Sequence, residues 1–485
     1  MAQQSQPADA LADQPALATQ PATPPSAATP YAEPAPLPSR AVKRRGPVFL
    51  RLRYDEDFSY LDGPPESYTP DFFDPIKNIH LSDDLRLTIG GEFRFRMEAE
   101  RNKDFGTTEQ SQDTFQFYRY LLHFDLRYRD TARLFVQGAT AFMEDRDLPG
   151  RTSDEDHWDM QQLFLDVRPF GDRTPLTVRF GRQELRYGNG RLINASNWAN
   201  VRTRFDGLKL IYENPLWSFD MFYVKPVVVE RRARDRYNEE FDLYGAYFTY
   251  KGIARHGLDF YFFAVDDTQN RTNPNGRAGD MARYTLGSRF WGKTAGFDYE
   301  NELYGQWGTW AGDTIQAWNW SVVAGYTFDK VPMAPRIGAG FDWVSGDENP
   351  NDRAAQTLDP LFSSNHSYFG FLDIIERRNL KAVNVSLSAW PIKEKVRTSI
   401  THWTLWLAET RDAAYDGSGR VVRRDRTGRS GREIGHELDL TLEWAIDAHS
   451  SLLLGYSHFW DSDFIINTGR SEDADLYYIQ YQFRF

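Results

Sequence analysis

From Leu85 onward, apolar residues recur at every second position. In the stretch 85–98 one face carries Leu85, Leu87, Ile89, Phe93, Phe95 and Met97. The other carries Arg86, Thr88, Glu92, Arg94, Arg96 and Glu98. A period of two marks a strand whose two faces meet different surroundings. The pattern returns at Tyr118, Tyr120, Leu122, Phe124, Leu126 and Tyr128, set against Arg119, His123, Asp125 and Arg127. It is still present at Leu438, Leu440, Leu442 and Trp444, set against Glu437, Asp439 and Glu443. About eighteen such segments can be counted, give or take two. Their centres fall near residues 92, 121, 138, 164, 181, 209, 221, 246, 261, 287, 301, 321, 341, 385, 402, 439, 455 and 479.

Most segments reach the roughly 9–11 residues that carry a tilted strand across a bilayer. Short links such as 128–132 and 445–449 alternate with long polar ones at 145–157, 189–203, 266–280, 346–379 and 409–432. An array of soluble sandwiches would also alternate. It would not place Arg, Glu or Asp on every second residue of nearly every strand, whereas a water-filled lumen accounts for that face. The expected fold is all-β: a transmembrane antiparallel β-barrel of about 18 strands in a bacterial outer membrane. No run of about 18 apolar residues occurs, which excludes a helical membrane protein. Trp307, Trp310, Trp318 and Trp460 lie near strand ends, as aromatic girdles require.

The chain ends on Tyr477, Ile479, Tyr481, Phe483 and Phe485 along one face. This resembles the terminal strand by which bacterial outer-membrane proteins are recognised for insertion, so the barrel-assembly machinery is an expected partner of the Phe485 strand. Pairing it with the first strand would remove both sheet edges. Residues 1–45 are rich in Ala, Pro, Gln, Ser and Thr without apolar periodicity, and read as a disordered tail. They show no charged region followed by an apolar stretch, so the start reads as a mature terminus without a signal peptide. Residues 46–83 are expected to form a pre-barrel periplasmic or lumen-entering segment, and 84–485 the barrel.

Composition narrows the chemistry. The 485 residues hold 57 Lys and Arg against 69 Asp and Glu, a net charge of -12. An acidic chain of this kind argues against a nucleic-acid partner. Cysteine is absent, so disulfides, Cys zinc sites and thiol nucleophiles are excluded. Assigning the apolar face to lipid turns Arg86, Arg94, Arg96, Arg119, Arg127, Arg133, Arg168, Arg179, Arg283, Arg289 and Arg336 toward the lumen. In 176–188 the parity changes, and a bulge at Gly181 is expected to turn Arg182, Glu184 and Arg186 inward too. Glu92, Asp125, Asp166, Asp298, Glu300, Glu302, Glu437 and Asp439 are available as acidic partners.

The first five strands are thus basic inside. A basic constriction in a low-dielectric wall concentrates anions, and the planar guanidinium suits carboxylates. The alternative use of these arginines is to pair with lumen acids and stiffen the wall. The expected function is a diffusion path for an anionic, carboxylate-bearing solute through a barrel surrounded by outer-membrane lipid. Rival readings are a general or small-anion porin, a barrel enzyme, and a plugged structural or adhesion barrel.

No Walker A, zinc-protease helix or nucleophile-elbow motif is present. The nine His have no metal spacing, and His436 and His458 fit interfacial positions. No catalytic residue, metal or cofactor is therefore expected. The stretch Gly346–Asp352 offers calcium-type oxygen ligands at Asp347, Glu348, Asn349, Asn351 and Asp352, though a solvated loop is the commoner outcome.

Several stretches carry a family likeness: 52–61 (LRYDEDFSYL), 74–77 (DPIK), 90–94 (GGEFR), 180–186 (FGRQELR), 346–352 (GDENPND) with 359–362 (DPLF), 434–440 (IGHELDL) and 455–460 (GYSHFW). Through them the chain resembles the bacterial alginate-export, or outer-membrane alginate porin, family from about residue 50 to Phe485. The resemblance implies an eighteen-stranded, monomeric barrel. It also implies passive export of a polyuronate through an arginine-rich constriction, with loops or turns acting as a plug. By the 180–186 match it supports Arg182 and Arg186 as pore residues, and by the 434–440 match Glu437 and Asp439 as acidic counterparts. Arg94 follows from the first-strand match. Taken together, the expected pore-lining and substrate-binding residues are Arg94, Arg96, Arg119, Arg127, Arg179, Arg182, Glu184, Arg186, Glu437 and Asp439. Expected partners are the anionic polysaccharide or small anions, and periplasmic export proteins.

Overall fold

Alternating side chains can bury one face in lipid and wet the other only if the sheet has no free edge, and this chain closes its sheet completely. The computed structural model describes residues 46–485 except 109, 149, 172, 173, 365 and 367. The tail expected at 1–45 lies outside the described residues. Eighteen strands form the wall. They are β1 (Leu85–Arg101), β2 (Gln112–Tyr128), β3 (Ala132–Glu144), β4 (Asp156–Val167), β5 (Leu176–Gln183), β6 (Phe205–Glu213), β7 (Trp217–Val228), β8 (Phe241–Tyr250) and β9 (His256–Asp267). The circle continues with β10 (Met281–Thr294), β11 (Phe297–Trp310), β12 (Asp313–Thr327), β13 (Arg336–Val344), β14 (Leu380–Ile392), β15 (Val396–Leu407), β16 (Glu433–Ala445), β17 (Ser450–Asp461) and β18 (Ala474–Arg484). Every segment centre read from the alternation falls inside one of them.

Each strand pairs antiparallel with its chain neighbours, and β18 pairs with β1 from Glu92↔Arg484 to Arg101↔Asp475. The rim of short links, which includes 129–131, 251–255 and 393–395, also holds both ends of the described barrel. In outer-membrane barrels this is the periplasmic rim, and the long links leave from the opposite, extracellular rim. Outward positions such as Tyr120, Leu122 and Phe124 are exposed, while their neighbours Arg119, His123 and Asp125 are buried.

The closure seam has an additional layer. β18 stops against Gly91, whose N–H donates to the Phe485 carbonyl at 2.8 Å and whose carbonyl accepts from the Phe485 N–H at 3.0 Å. The first residues of β1 run on beyond it, and Ile79 and His80 fold back to pair with Leu87 and Arg86. Arg53 donates to the carbonyls of both Gly91 and Phe485 at 3.2 Å. Phe73 stacks on Phe485 with ring centroids 5.1 Å apart. Tyr54 reaches the inner wall, packing on Phe135 and Phe164 and donating its hydroxyl to the Glu184 carbonyl at 2.9 Å. Burial pushes the Glu56 carboxyl up to about 7, against the pull of Arg53 at 3.2 Å.

The parity flip expected at Gly181 does not occur. Pairing of β5 runs unbroken through Gly181, with Phe180↔Leu208 and Arg182↔Asp206. Phe180 and Leu208 face lipid, so Arg182 and Asp206 share that outward face. Gly181 has φ +128°, and a Cβ there would lie 2.2 Å from the Leu163 carbonyl oxygen. The change of parity further along has another cause. The wall ends at Gln183 and the chain turns inward, so that Leu185 is fully buried in the interior.

Candidate functional site

Two long links enter the lumen: 184–204 after β5, and 345–379 after β13. They meet there, with Ile193 bridging Phe362 and the Tyr368 hydroxyl donating to the Asn189 carbonyl at 2.8 Å. Their apolar residues Leu185, Leu192, Ile193, Leu358 and Leu372 pack with inward residues Phe222, Phe263 and Trp403 of the wall. Burial of this apolar contact, about 25 cal/mol per Å² removed from water, holds the loops against the wall.

The irregular backbone of an inward loop leaves carbonyls without strand partners, and buried carbonyls need donors. The basic wall supplies them. Arg94 donates to the carbonyls of Asn197 at 2.6 Å and Ala199 at 3.0 Å. Arg119 donates to the same two carbonyls at 3.1 and 3.0 Å, and forks onto Glu92 at 2.6 and 3.0 Å. Arg96 donates to the Trp198 carbonyl at 2.6 Å, and its guanidinium lies 3.8 Å from the Trp198 ring centroid. All three are at most 2% exposed.

The opposite wall grips the second loop through acids. Glu437 accepts from the Leu372 N–H at 2.9 Å. Asp439 accepts from the Phe371 N–H at 3.3 Å, the Ser457 hydroxyl at 2.6 Å and the Trp403 indole at 3.2 Å. The loop approaches so closely here that a Cβ on Gly370 would lie 2.1 Å from the Glu437 carboxyl carbon, and Gly370 adopts φ +101°. The sequence reading placed Glu437 and Asp439 as counterparts of Arg182 and Arg186. The structure instead joins them to the backbone of the second loop.

The remaining expected residues divide by depth. Arg179 forks onto Asp166 at 2.7 and 2.9 Å and stacks over Phe164 at 3.8 Å. Glu184 is fully buried, accepting from Arg202 at 2.6 Å and Gln161 at 2.8 Å. Arg186 is half-buried on the first loop. Arg182 forks onto Asp206 at 2.8 and 2.9 Å on the outer face of the wall, away from the lumen.

Sequence reasoning missed the arginines carried by the loops themselves. Arg191 pairs with Glu300 and Glu302 of β11, and Arg377 with Asp342 of β13 at 2.8 Å. An arginine inside a long link facing a wall rich in acids was the available signal.

At the periplasmic mouth part of the basic face is open, although Arg133, with its side chain 15% exposed, forks onto Asp125 at 2.7 and 3.0 Å and donates to the Tyr54 carbonyl at 2.6 Å. Arg127, Arg129, Arg133 and Arg168 surround a polar recess of about 120 Å³ with Asp166 and Thr177. The Arg127 side chain is 41% exposed although it contacts Asp125. Arg168 is exposed, and among the described residues no ion pair engages its side chain.

One buried acid stands where the second loop leaves β13. Burial pushes the Asp347 carboxyl up to about 6, and the nearby Asp412 charge adds to the effect. The Asp412 carboxylate accepts from the Asp347 N–H at 2.9 Å and the Thr357 hydroxyl at 2.6 Å.

A family model described as alginate export matches residues 85–478. No curated protein shows a significant sequence match. Among solved structures the chain is similar to OccK8 (OprE) of Pseudomonas aeruginosa, at TM-score 0.57 and 11% identity over 82% of this chain and 98% of that one. It is also similar to OccAB2 of Acinetobacter baumannii, at 0.55 and 12% over 82% and 98%. OccD3 (OpdP) of Pseudomonas aeruginosa gives 0.54 and 14% over 88% and 97%. The likeness is one of fold, that of an outer-membrane porin barrel.

Proposed function

The chain belongs to the alginate-export family of outer-membrane barrels, and from that premise we propose that it passes an anionic polysaccharide, a polyuronate such as alginate, outward along its arginines. The observation that carries this reading is the bonding of the two lumen loops. Arg94, Arg96 and Arg119 hold backbone carbonyls with donors that would bind carboxylates more strongly, because charge-assisted hydrogen bonds exceed neutral ones. A polyuronate carboxylate arriving at these guanidiniums competes with the loop for the same N–H groups. The polymer then displaces the loop it replaces, and the exchange needs no external energy source.

Entry begins at the mouth. Arg168 and the partly exposed Arg127 lie on the periplasmic side of the buried arginines, and Arg168, which no ion pair engages among the described residues, draws in polyanions. Arg179 and Arg186 continue the basic path, and Glu184 with Arg202 forms part of the same ionic lining. Residues 46–83 form the pre-barrel segment, of which Tyr54 and Glu56 reach into the lumen, where their carbonyls accept from Arg133 and Arg127. Passage is by diffusion down the polymer's gradient.

Planar-bilayer conductance of the purified barrel, with mannuronate and guluronate oligomers added on the periplasmic side, tests the proposal. Anion selectivity with oligomer block, weakened in Arg94→Ala or Arg119→Ala, supports it. Anion selectivity indifferent to uronates would leave a small-anion porin. A cation-selective pore would sink both readings.

A further inference from the structure

Lipid solvates any apolar belt, so a flat outer wall would suffice for this barrel. The wall across β1–β7 is not flat. It holds a concavity of about 1820 Å³, larger than the roughly 300–1,000 Å³ of ordinary small-molecule pockets. At membrane level the lining is apolar, with Leu122, Phe124, Leu134, Val136, Leu165 and Phe180. Gly138 opens its floor, where a Cβ would meet nothing within 4 Å. The pairing of β3 with β4 shifts register twice beside it.

Toward the extracellular rim the chemistry changes in order. Arg182, Asp206 and Lys225 stand in one outward row across β5–β7, and Lys225 reaches Asp242 at 2.6 Å. Trp158, 86% exposed, stands at the same end of the concavity with His157 and Arg234. Above the row the hairpin 227–237 presents Arg231, Arg232, Arg234 and Arg236. Arg231 pairs with Glu155, and Arg236 with Glu230 at 3.2 Å. Arg232 and Arg234 are exposed with no ion pair or hydrogen bond from their side chains among the described residues.

The hairpin is fixed in place. The Asp235 N–H donates to Asp159 at 2.6 Å, and its carboxylate accepts from the Glu230 N–H at 2.6 Å and pairs with Arg204. Arg182 donates to the Asp235 carbonyl at 3.2 Å. Two unneutralised cations are therefore held above an apolar hollow, with a charged row at the boundary between them.

We propose that this surface seats an outer-leaflet glycolipid bearing phosphates on its sugar headgroup, with acyl chains in the hollow and phosphates on Arg232 and Arg234. The sequence of apolar floor, interfacial row and cationic rim follows the membrane normal, as such an amphiphile does. Arginine gives the phosphate a planar fork of donors. A second copy of the chain docking by two-fold symmetry would bring its own Arg232 and Arg234 to the same end of the interface, like against like.

Native mass spectrometry of the detergent-purified barrel tests the proposal, with lipid A, dephosphorylated lipid A and phosphatidylglycerol as separate probes. Lipid A should be retained most strongly. Retention should fall roughly tenfold or more in the double variant Arg232→Glu with Arg234→Glu, and on removing the phosphates. Gly138→Phe, which fills the hollow without touching the hairpin, should also weaken it. Heat-modifiable electrophoretic mobility reports whether each variant has closed its barrel. Equal retention of the phosphorylated and dephosphorylated lipids would overturn the proposal, as would a folded charge-reversed variant that binds like the parent. Association into dimers that exclude lipid A would also overturn it.

Discussion

Arg96 and Trp198 stand face to face, the guanidinium 3.8 Å from the indole centroid, and the same indole stacks on His366 at 3.6 Å with ring planes 7° apart. One strand arginine, the first lumen loop and the second lumen loop are thereby joined through a single ring. A desolvated cation–π contact is worth about 2 kcal/mol. Arg96→Ala and Trp198→Ala should each raise the open fraction of single channels severalfold. The double variant should open no further than the more severe single one. Additive effects would show that the two side chains act separately.

Arg168 and Arg127 guard the periplasmic recess. Arg168→Glu with Arg127→Ala should reduce anion preference and weaken uronate block several-fold from the periplasmic side. Block from the extracellular side should change less. Reversal potentials in asymmetric salt, with oligomer added to one chamber at a time, measure both effects.

Arg182 faces away from the lumen, so its removal should spare selectivity. Arg182→Ala leaves the Asp206 carboxylate without the guanidinium that forks onto it. A half-buried group losing its partner costs about 1–3 kcal/mol, and the thermal midpoint of the folded barrel should fall. A changed reversal potential with an unchanged midpoint would place Arg182 in the permeation path after all.

Asp347 sets a pH dependence. Its folded pKa of about 6 lies above the ordinary 3.8, so the folded loop binds the proton more tightly than the free chain. The contribution is full below the ordinary value and is lost as pH rises through about 6. Protease cleavage within 345–379 should therefore increase between pH 4 and pH 7. Asp347→Asn should flatten the profile at the low-pH level.

The wall was legible because lipid and water impose a two-residue period on each strand, and register carries it over long stretches. The family likeness was legible in local strings such as 180–186. The bonding of the loops was not, because it joins residues distant in the chain. Arg94 and Asn197 are 103 positions apart, and Asn189 meets Tyr368 across 179. Arg182 shows the same limit at short range. A glycine and a change of parity suggested a bulge, whereas the strand simply ends at Gln183 and the chain leaves the wall. Alternation placed arginines inside, and most of them pair with wall acids, but Arg94, Arg96 and Arg119 also hold loop carbonyls that no pattern in the strands announces.

Arg53 grips Phe485 across 432 positions of chain. That contact fixes an order of events. Closing so long a loop brings no reward until nearly every intervening strand has found its neighbour. The bridge from Arg53 to Phe485 therefore forms after the wall has closed, whereas the fold-back of 79–80 onto Leu87 and Arg86 needs no closure. In unfolding the order reverses, so the lifetime of the closed barrel depends on how often Arg53 and Phe73 release Phe485 together. A barrel lacking them would close at nearly the same rate yet reopen sooner.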